Sequence, residues 1–361
     1  MNPKLIPRDI FVEKSVIDQP IIHNIRKNHA ECRLHFVDHI IPGESDEDRP
    51  AIEVIDFKGK FLKPCPGTRN YICCGYQILH FGEQCSIGCT YCILQAYFSS
   101  TRLRLFANWD RMLNETKSVL KNNPQRFFRI GTGEFTDSLL LDPITEFSTL
   151  IVPFFALFPN CVLELKTKTD HIELLKDLDH RQRTIVAWSL NSNRVIFREE
   201  GLAVPLSRRL ECAKRCMEWG YRLAFHFDPM IYYEGWEVDY REVIDLVFSN
   251  TDPDKIVWIS LGCFRFMPAL KNIIEEKYPG SDIIYGEFIQ GLDGKMRYFK
   301  DIRIEMYSKM VEWIREHDPD VCVYLCMESP EIWKAAFGFV PAEKGGLPKM
   351  LDMAAQTKCG D

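Results

Sequence analysis

From residue 76 onward, short apolar strands alternate with helical segments, and this alternation limits the fold more than any other feature of the chain. Strands are read at YQILHF, RFFRIGTG, CVLELKTK, RTIVAWSLN, RLAFHFDPM and KIVWISLG. Between them NWDRMLNETKSVLKN, SLLLDPITEFSTLIVPFFALF, HIELLKDLD, LSRRLECAKRCMEWG and DYREVIDLVFSN carry helical spacing. Such alternation predicts βαβ units and a parallel sheet, an α/β fold. The strands are apolar on both faces (TIVAW, KIVWISL), as they must be when helices cover the sheet. Six units fit a partial barrel or an open doubly wound sheet, and both put their chemistry at the carboxyl ends of the strands. Polar clusters stand at those ends: GEQC, GTGE, KTKTD, SLNSN and FDPM. Turn chemistry would explain one or two of them; five in succession mark a site.

Composition narrows the class. With 46% hydrophobic and 27% charged residues in 361, the chain can bury a large core and is not disordered. No apolar run reaches membrane-span length, and the first residues lack a secretory apolar segment, so a cytoplasmic address without a membrane partner is expected. The formal charge of −6 gives no global attraction to nucleic acid. Two local basic stretches, 23-HNIRKNHAECRLH-35 and 294-GKMRYFKDIR-303, read first as solvated surface. Fourteen cysteines without an export signal are thiols rather than a disulfide framework. Cys161, Cys263 and Cys322 sit in apolar runs as small buried hydrophobes, and Cys212 and Cys216 share one helix face.

The segment 85-CSIGCTYC-92 is different: three cysteines in the pattern CxxxCxxC, in the loop after the first strand. Four thiolates close a [4Fe–4S] cube, whereas three leave one iron open, which is the logic of catalytic metal sites. Gly88 lets the backbone wrap closely there. Zinc is the chemical rival, with Cys73, Cys74 or His80 as its fourth ligand.

With Tyr91 before the last cysteine, this motif resembles the radical S-adenosylmethionine superfamily. Further segments are similar to the spore photoproduct lyase family: CTYCILQAYF, LKTKTDHIELL, WSLNSNRVI, RRLECAKRCMEWGYRLAFHFDPMIYYEGWEVDY and YLCMESPEIWKAAFG. The resemblance implies a partial (β/α)6 radical SAM barrel over 71–265, with an N-terminal extension over 1–70. Residues 266–361 form a C-terminal extension whose hairpin addresses the substrate. It implies a [4Fe–4S] cluster and S-adenosylmethionine, a 5′-deoxyadenosyl radical made by one-electron cleavage, and a lyase acting on a thymine dimer in DNA. A one-electron reductant such as flavodoxin or ferredoxin follows as a partner. Carried across, Cys85, Cys89 and Cys92 hold the cluster, and Lys168 and Ser189 meet the cofactor carboxylate. Tyr91, Gly131, Gly133 and Glu134 complete the cofactor site, with the carboxylate of Glu134 toward the cofactor ammonium.

Two positions depart from the family. Its hydrogen-returning cysteine after the second barrel strand is matched by Glu134, and the tyrosine after the last cluster cysteine is Ile93. Neither side chain can return a hydrogen atom as a thiol or phenol does. Tyr232 and Tyr233, after the fifth strand, are candidate donors, although tyrosines there also serve packing. In 291-GLDGKMRYFK-300, Lys295 and Arg297 would contact phosphate while Tyr298 or Phe299 stacks on a base. The alternatives are a radical enzyme for another nucleobase, nucleotide or peptide, and a non-catalytic metal-bearing nucleic-acid-binding protein.

Overall fold

All six strands read from the sequence form, and all lie in one sheet. The computed structural model describes residues 8–40, 51–68 and 70–360, so the turn segment 41–50 lies outside the described residues. From edge to edge the sheet runs Leu62–Pro64, Gln77–Leu79, Phe128–Gly131, Cys161–Thr167, Thr184–Ser189, Arg222–Met230, Ile256–Cys263 and Cys322–Leu325. Every pairing is parallel except that of Leu62–Pro64 with Gln77–Leu79. The inner strands are buried along nearly their whole length, which is why no period of two appears in their sequence.

The sheet curls on itself. Ile72 N–H donates to the Glu328 carbonyl at 2.9 Å, joining the two ends of the sheet outside the regular strands. The Tyr76 ring, at one end, comes within electrostatic reach of Tyr324 at the other and of Glu164 in the middle. Gly131 makes this approach possible: a Cβ there would stand 1.4 Å from the Tyr76 hydroxyl. The result is the expected partial barrel.

The N-terminal layer draws on more of the chain than its first residues. Its sheet runs Arg33–Val37, Asp9–Glu13, Ala51–Ile55, Leu103–Phe106 and Gly82–Glu83, and the helix Pro20–Asn28 buries Ile21, Ile22 and Ile25. The last two strands flank the three-cysteine segment in sequence. That segment therefore leaves one sheet, forms its loop, and returns to the same layer, so both its ends are anchored. Glu53, fully buried in this layer, is held by Arg104 at 2.7 Å.

Two helices differ from expectation. The segment 138–158, read as one helix, forms Asp142–Thr145 and Phe147–Ala156, broken at Glu146 with φ 54°. Asp142 explains the break: its carboxylate accepts from the Ser148 N–H at 2.8 Å and from the Ser148 hydroxyl at 2.6 Å, starting the second helix anew. The segment 171–179 folds only into the short turn Glu173–Leu175. There the His171 ring engages the Leu140 carbonyl at 3.0 Å and draws the chain back over the barrel.

After the barrel come a three-stranded antiparallel sheet (Arg265–Phe266, Met296–Tyr298, Phe288–Gln290), the helix Lys300–His317, and the helices Pro330–Phe337 and Leu347–Cys359. Cys161 and Cys263 are core residues, as read from their apolar runs, whereas Cys322 is only partly buried; Cys212 and Cys216 are buried on the helix face they share. No helix among the described residues is long and apolar enough to cross a membrane.

Candidate active site

Cys85, Cys89 and Cys92 lie in the loop between Gly82–Glu83 and the short helix Leu94–Tyr97. All three are free thiols; Cys85 feels the charges of Cys89 and Cys92, and Cys89 that of Cys92. Cys85 and Cys92 pack with Cys65 against a small apolar group of Ile78, Leu94 and Phe135. Burial pushes all three thiols up, Cys89 to about 12, so a thiolate set here calls for a strongly charged soft partner. Among the described residues no three His, Cys, Asp or Glu side chains converge on a single-ion site. Three sulfur donors on one loop anchored at both ends are the donor set a multi-iron cluster takes. Gly88 sits at φ +75° with only the Ser86 carbonyl within 4.0 Å of where a Cβ would be, which leaves the loop open on that side. The residues present fit the cluster.

The proposed zinc ligands are committed elsewhere. His80 lies between Lys63, 2.9 Å from Nδ1, and Glu83, 3.3 Å from Nε2. Cys73 and Cys74 are hydrogen-bonded to each other, which lowers the Cys73 thiol.

Beside the triad stands a buried charge group. The Lys168 ammonium lies 3.5 Å from Glu200 and 5.7 Å from the Tyr91 ring centroid, within electrostatic reach of Cys89 and Cys92. The Tyr91 hydroxyl and the Arg209 guanidinium both donate to Glu200. Burial alone would raise the Glu200 carboxyl; Lys168 and Arg209, with the Tyr91 hydroxyl, outweigh it and hold it at about 2. Arg209 also donates to the Ser189 carbonyl at 2.8 Å. Tyr91, Lys168 and Ser189, far apart in sequence, thus meet in one network. Asp137 sets the height of Lys168 by accepting its backbone N–H at 2.8 Å, and takes the Thr167 hydroxyl at 2.7 Å.

The lumen beyond is charged. Glu134 pairs with Lys166 at 3.3 Å, and the Cys65 thiol stands 3.9 Å from its other oxygen. A Cβ on Gly133 would meet Lys166 Cβ at 2.8 Å, so this glycine seats the lysine, as Gly131 seats Tyr76. Asp228 pairs with Arg265 at 3.0 Å, and Arg265 reaches Cys326 at 3.7 Å. Cys326 in turn lies within electrostatic reach of Glu134 and Cys65, which closes the ring across the barrel. Deeper down, His226 and Glu164 form a buried pair.

The remaining candidates divide. Tyr232 is 40% exposed. The Tyr233 hydroxyl lies 2.6 Å from Ser192 and 2.8 Å from Asp239, with Arg194 over its ring. The hairpin departs from the expected phosphate-and-stacking row. Arg297 is buried, pairs with Asp293 at 2.8 Å and lies over Tyr71, while Tyr298 is 1% exposed. These two consecutive residues face opposite sides of the small sheet, and both sides are covered: Tyr298 stacks on Phe288, while Asp293 and Tyr71 hold Arg297. The exposed residues here are instead Ile289, Leu292 and Phe299.

Sequence reading missed Glu200, Arg209, Asp137, Cys65 and Cys326. Only the last two carried a signal, as cysteines in KPCPGT and YLCMESP near strand ends. The charged residues are recognisable only once the barrel brings their partners together.

Comparison with known proteins agrees with this geometry. The family model described as spore photoproduct lyase matches residues 74–321. Spore photoproduct lyase of Bacillus subtilis is 28% identical over 295 residues, 77% of this chain and 84% of that one. The Clostridium acetobutylicum protein of the same name is 22% identical over 305 residues, 81% and 87% of the two chains. Among solved structures, a spore photoproduct lyase double mutant with bound AdoMet and dinucleoside spore photoproduct superposes with a TM-score of 0.79 at 21% identity. It covers 89% of this chain and 99% of its own. With the matched region spanning the cluster loop and six of the eight strands of the curled sheet, this chain belongs to the spore photoproduct lyase family.

Proposed function

We propose that this protein is a radical S-adenosylmethionine enzyme of lyase type that acts on a thymine-dimer lesion in DNA. The observation that carries the reading is the loop of three thiols, Cys89 buried and Cys85 and Cys92 partly so, with a lysine ammonium beside it. Cys85, Cys89 and Cys92 would hold a [4Fe–4S] cluster, with S-adenosylmethionine at its open iron. Bound there, the pair supplies a 5′-deoxyadenosyl radical when one electron arrives from a donor such as flavodoxin or ferredoxin.

The chain's own residues orient and enclose this chemistry. Lys168 offers a point charge to the cofactor carboxylate, and Ser189 a hydroxyl donor. Glu134, with the backbone at Gly131 and Gly133, would take the ammonium; Lys166 holds that carboxylate in place. Tyr91 closes the wall behind Lys168. Tyr232 and Tyr233 are proposed hydrogen donors, and the lumen thiols Cys65 and Cys326 join them because an S–H, like a phenolic O–H, is weak enough to give a hydrogen atom to a carbon radical and both thiols stand beside the lumen charges. Exposed Ile289, Leu292 and Phe299 rim the hairpin that would meet the lesion strand. The proposed setting is the cytoplasm.

Relatives with bound dinucleoside spore photoproduct support the lesion as substrate. One observation favours a second reading, a different substrate: an ion pair, Glu134 with Lys166, stands where the family carries its donor thiol. A single assay separates them. Anaerobically reconstituted protein with dithionite and S-adenosylmethionine should form 5′-deoxyadenosine, and dinucleoside spore photoproduct should accelerate this and return its two thymines. Formation of 5′-deoxyadenosine that the lesion leaves unchanged would leave only the second reading.

A further inference from the structure

The loop that carries the triad is buckled at its middle by one short segment, 199–202. Thr90 donates its N–H to the Glu199 carbonyl at 2.9 Å and its hydroxyl to the Glu199 carboxylate. The same carboxylate accepts from Ser281 at 2.8 Å. Leu202 N–H donates to the Ile87 carbonyl at 2.7 Å. Gly201, at φ +41°, lies so close that a Cβ would be 2.2 Å from the Ile87 carbonyl oxygen. These bonds fix the backbone of the loop, and the Glu199 carboxylate is spent on the hydroxyls of Thr90 and Ser281.

Glu200, between them, does something else. It is fully buried and faces inward to Tyr91, Lys168 and Arg209. Its charge reaches Cys89, as do those of Lys168 and Arg209. Two cations and one anion therefore stand on the Cys89 side of the triad, a net charge of about +1 in surroundings where solvent screens little. The reduction potential of a thiolate-held cluster responds to net charge and hydrogen bonding around it.

We propose that Glu200 is a positioning residue that sets the electrostatic level of the cluster site, holding Lys168 and Tyr91 beside Cys89 while opposing reduction with its own charge. Arg209 is the counterweight. It neutralises Glu200 and fixes the backbone of Ser189, so one ion pair places Tyr91, Lys168 and Ser189 together. The inference rests on the cluster reading above.

The test is the midpoint potential of the reconstituted cluster, followed by electron paramagnetic resonance. Glu200→Gln, close in shape but uncharged, should retain wild-type iron and shift the potential in the positive direction. Arg209→Gln should shift it the other way. Thr90→Val, which removes the hydroxyl bond that pins the loop and changes no charge, should lose iron but keep the wild-type potential in the fraction that remains loaded. A purely structural role for Glu200 would move iron content and leave potential alone. Equal potentials in the Glu200→Gln, Arg209→Gln and wild-type proteins would overturn the inference. So would a Glu200→Gln protein that melts like wild type and takes up no iron. Wild-type protein that binds no iron removes the cluster reading itself; wild-type iron whose signal responds to S-adenosylmethionine, with unshifted variants, removes only the role of Glu200.

Discussion

The two sides of the barrel mouth are built on opposite plans. On the cluster side every charge is buried and satisfied: Glu200 has three partners, Arg209 is fully buried, and the loop is stitched down on both flanks. On the lumen side the pairs Glu134–Lys166 and Asp228–Arg265 are partly open, and the hairpin shows Leu292 and Ile289 to solvent. The first plan suits a cofactor geometry that must not vary; the second suits a surface that meets a large partner and can change between relatives. One departure from the family, Glu134, falls on the second side; the other, Ile93, directly follows the last cluster cysteine and is exposed to solvent. Preorganised charge is costly to alter, whereas a half-open pair is not.

This contrast can be broken by substitution. The largest effect belongs to the triad: Cys85→Ala, Cys89→Ala or Cys92→Ala should each abolish 5′-deoxyadenosine formation, read by chromatography, and leave the protein short of iron. Arg209→Met should come next, because it leaves Glu200 buried with half its compensation. Urea unfolding should show a loss of about 3–5 kcal/mol. A loss below 1 kcal/mol would mean the cluster side is no more rigid than the lumen.

Asp142 tests the shoulder that supports the lumen loop. Burial raises its carboxyl to about 6 from the usual 3.8. A raised carboxyl contributes stability below about pH 4 that is lost as pH rises through 6. Asp142→Asn, lacking that ionisation, should therefore gain on wild type between about pH 4 and 8 by roughly 2–3 kcal/mol, measured by thermal or urea unfolding. The smallest stability change is expected at the open pair. Glu134→Gln should cost less than about 1 kcal/mol while raising the KM for S-adenosylmethionine about tenfold, equivalent to ~1.4 kcal/mol of binding. An unchanged KM would free Glu134 from the cofactor and leave it to the substrate.

Much of the architecture was legible because the barrel strands are uniformly apolar and the triad is compact in sequence. The parallel strands, the loop position of the cysteines and the buried Cys161 and Cys263 follow from local pattern, whereas strand order does not, because six units fit a barrel or a doubly wound sheet. What stayed hidden depends on distant pairing. Glu199 and Glu200 read as an ordinary helix end in IFREEG, and nothing local distinguishes the one that clamps Thr90 from the one that meets Lys168. The strand Leu103–Phe106 looked like part of the barrel region, yet pairs with Ala51–Ile55 because its buried leucines complete the N-terminal sheet. The hairpin misled for a similar reason: alternating basic and aromatic residues suit a nucleic-acid face equally well as a small sheet folding its own core, and Asp293 decided for Arg297.

The central claim is that three thiols hold an iron–sulfur cluster whose open corner takes S-adenosylmethionine. Electron paramagnetic resonance of the reduced, reconstituted protein tests it most directly. The account predicts about four irons per chain and a signal that changes when S-adenosylmethionine is added. A colourless protein, or a cluster signal indifferent to the cofactor, would contradict it.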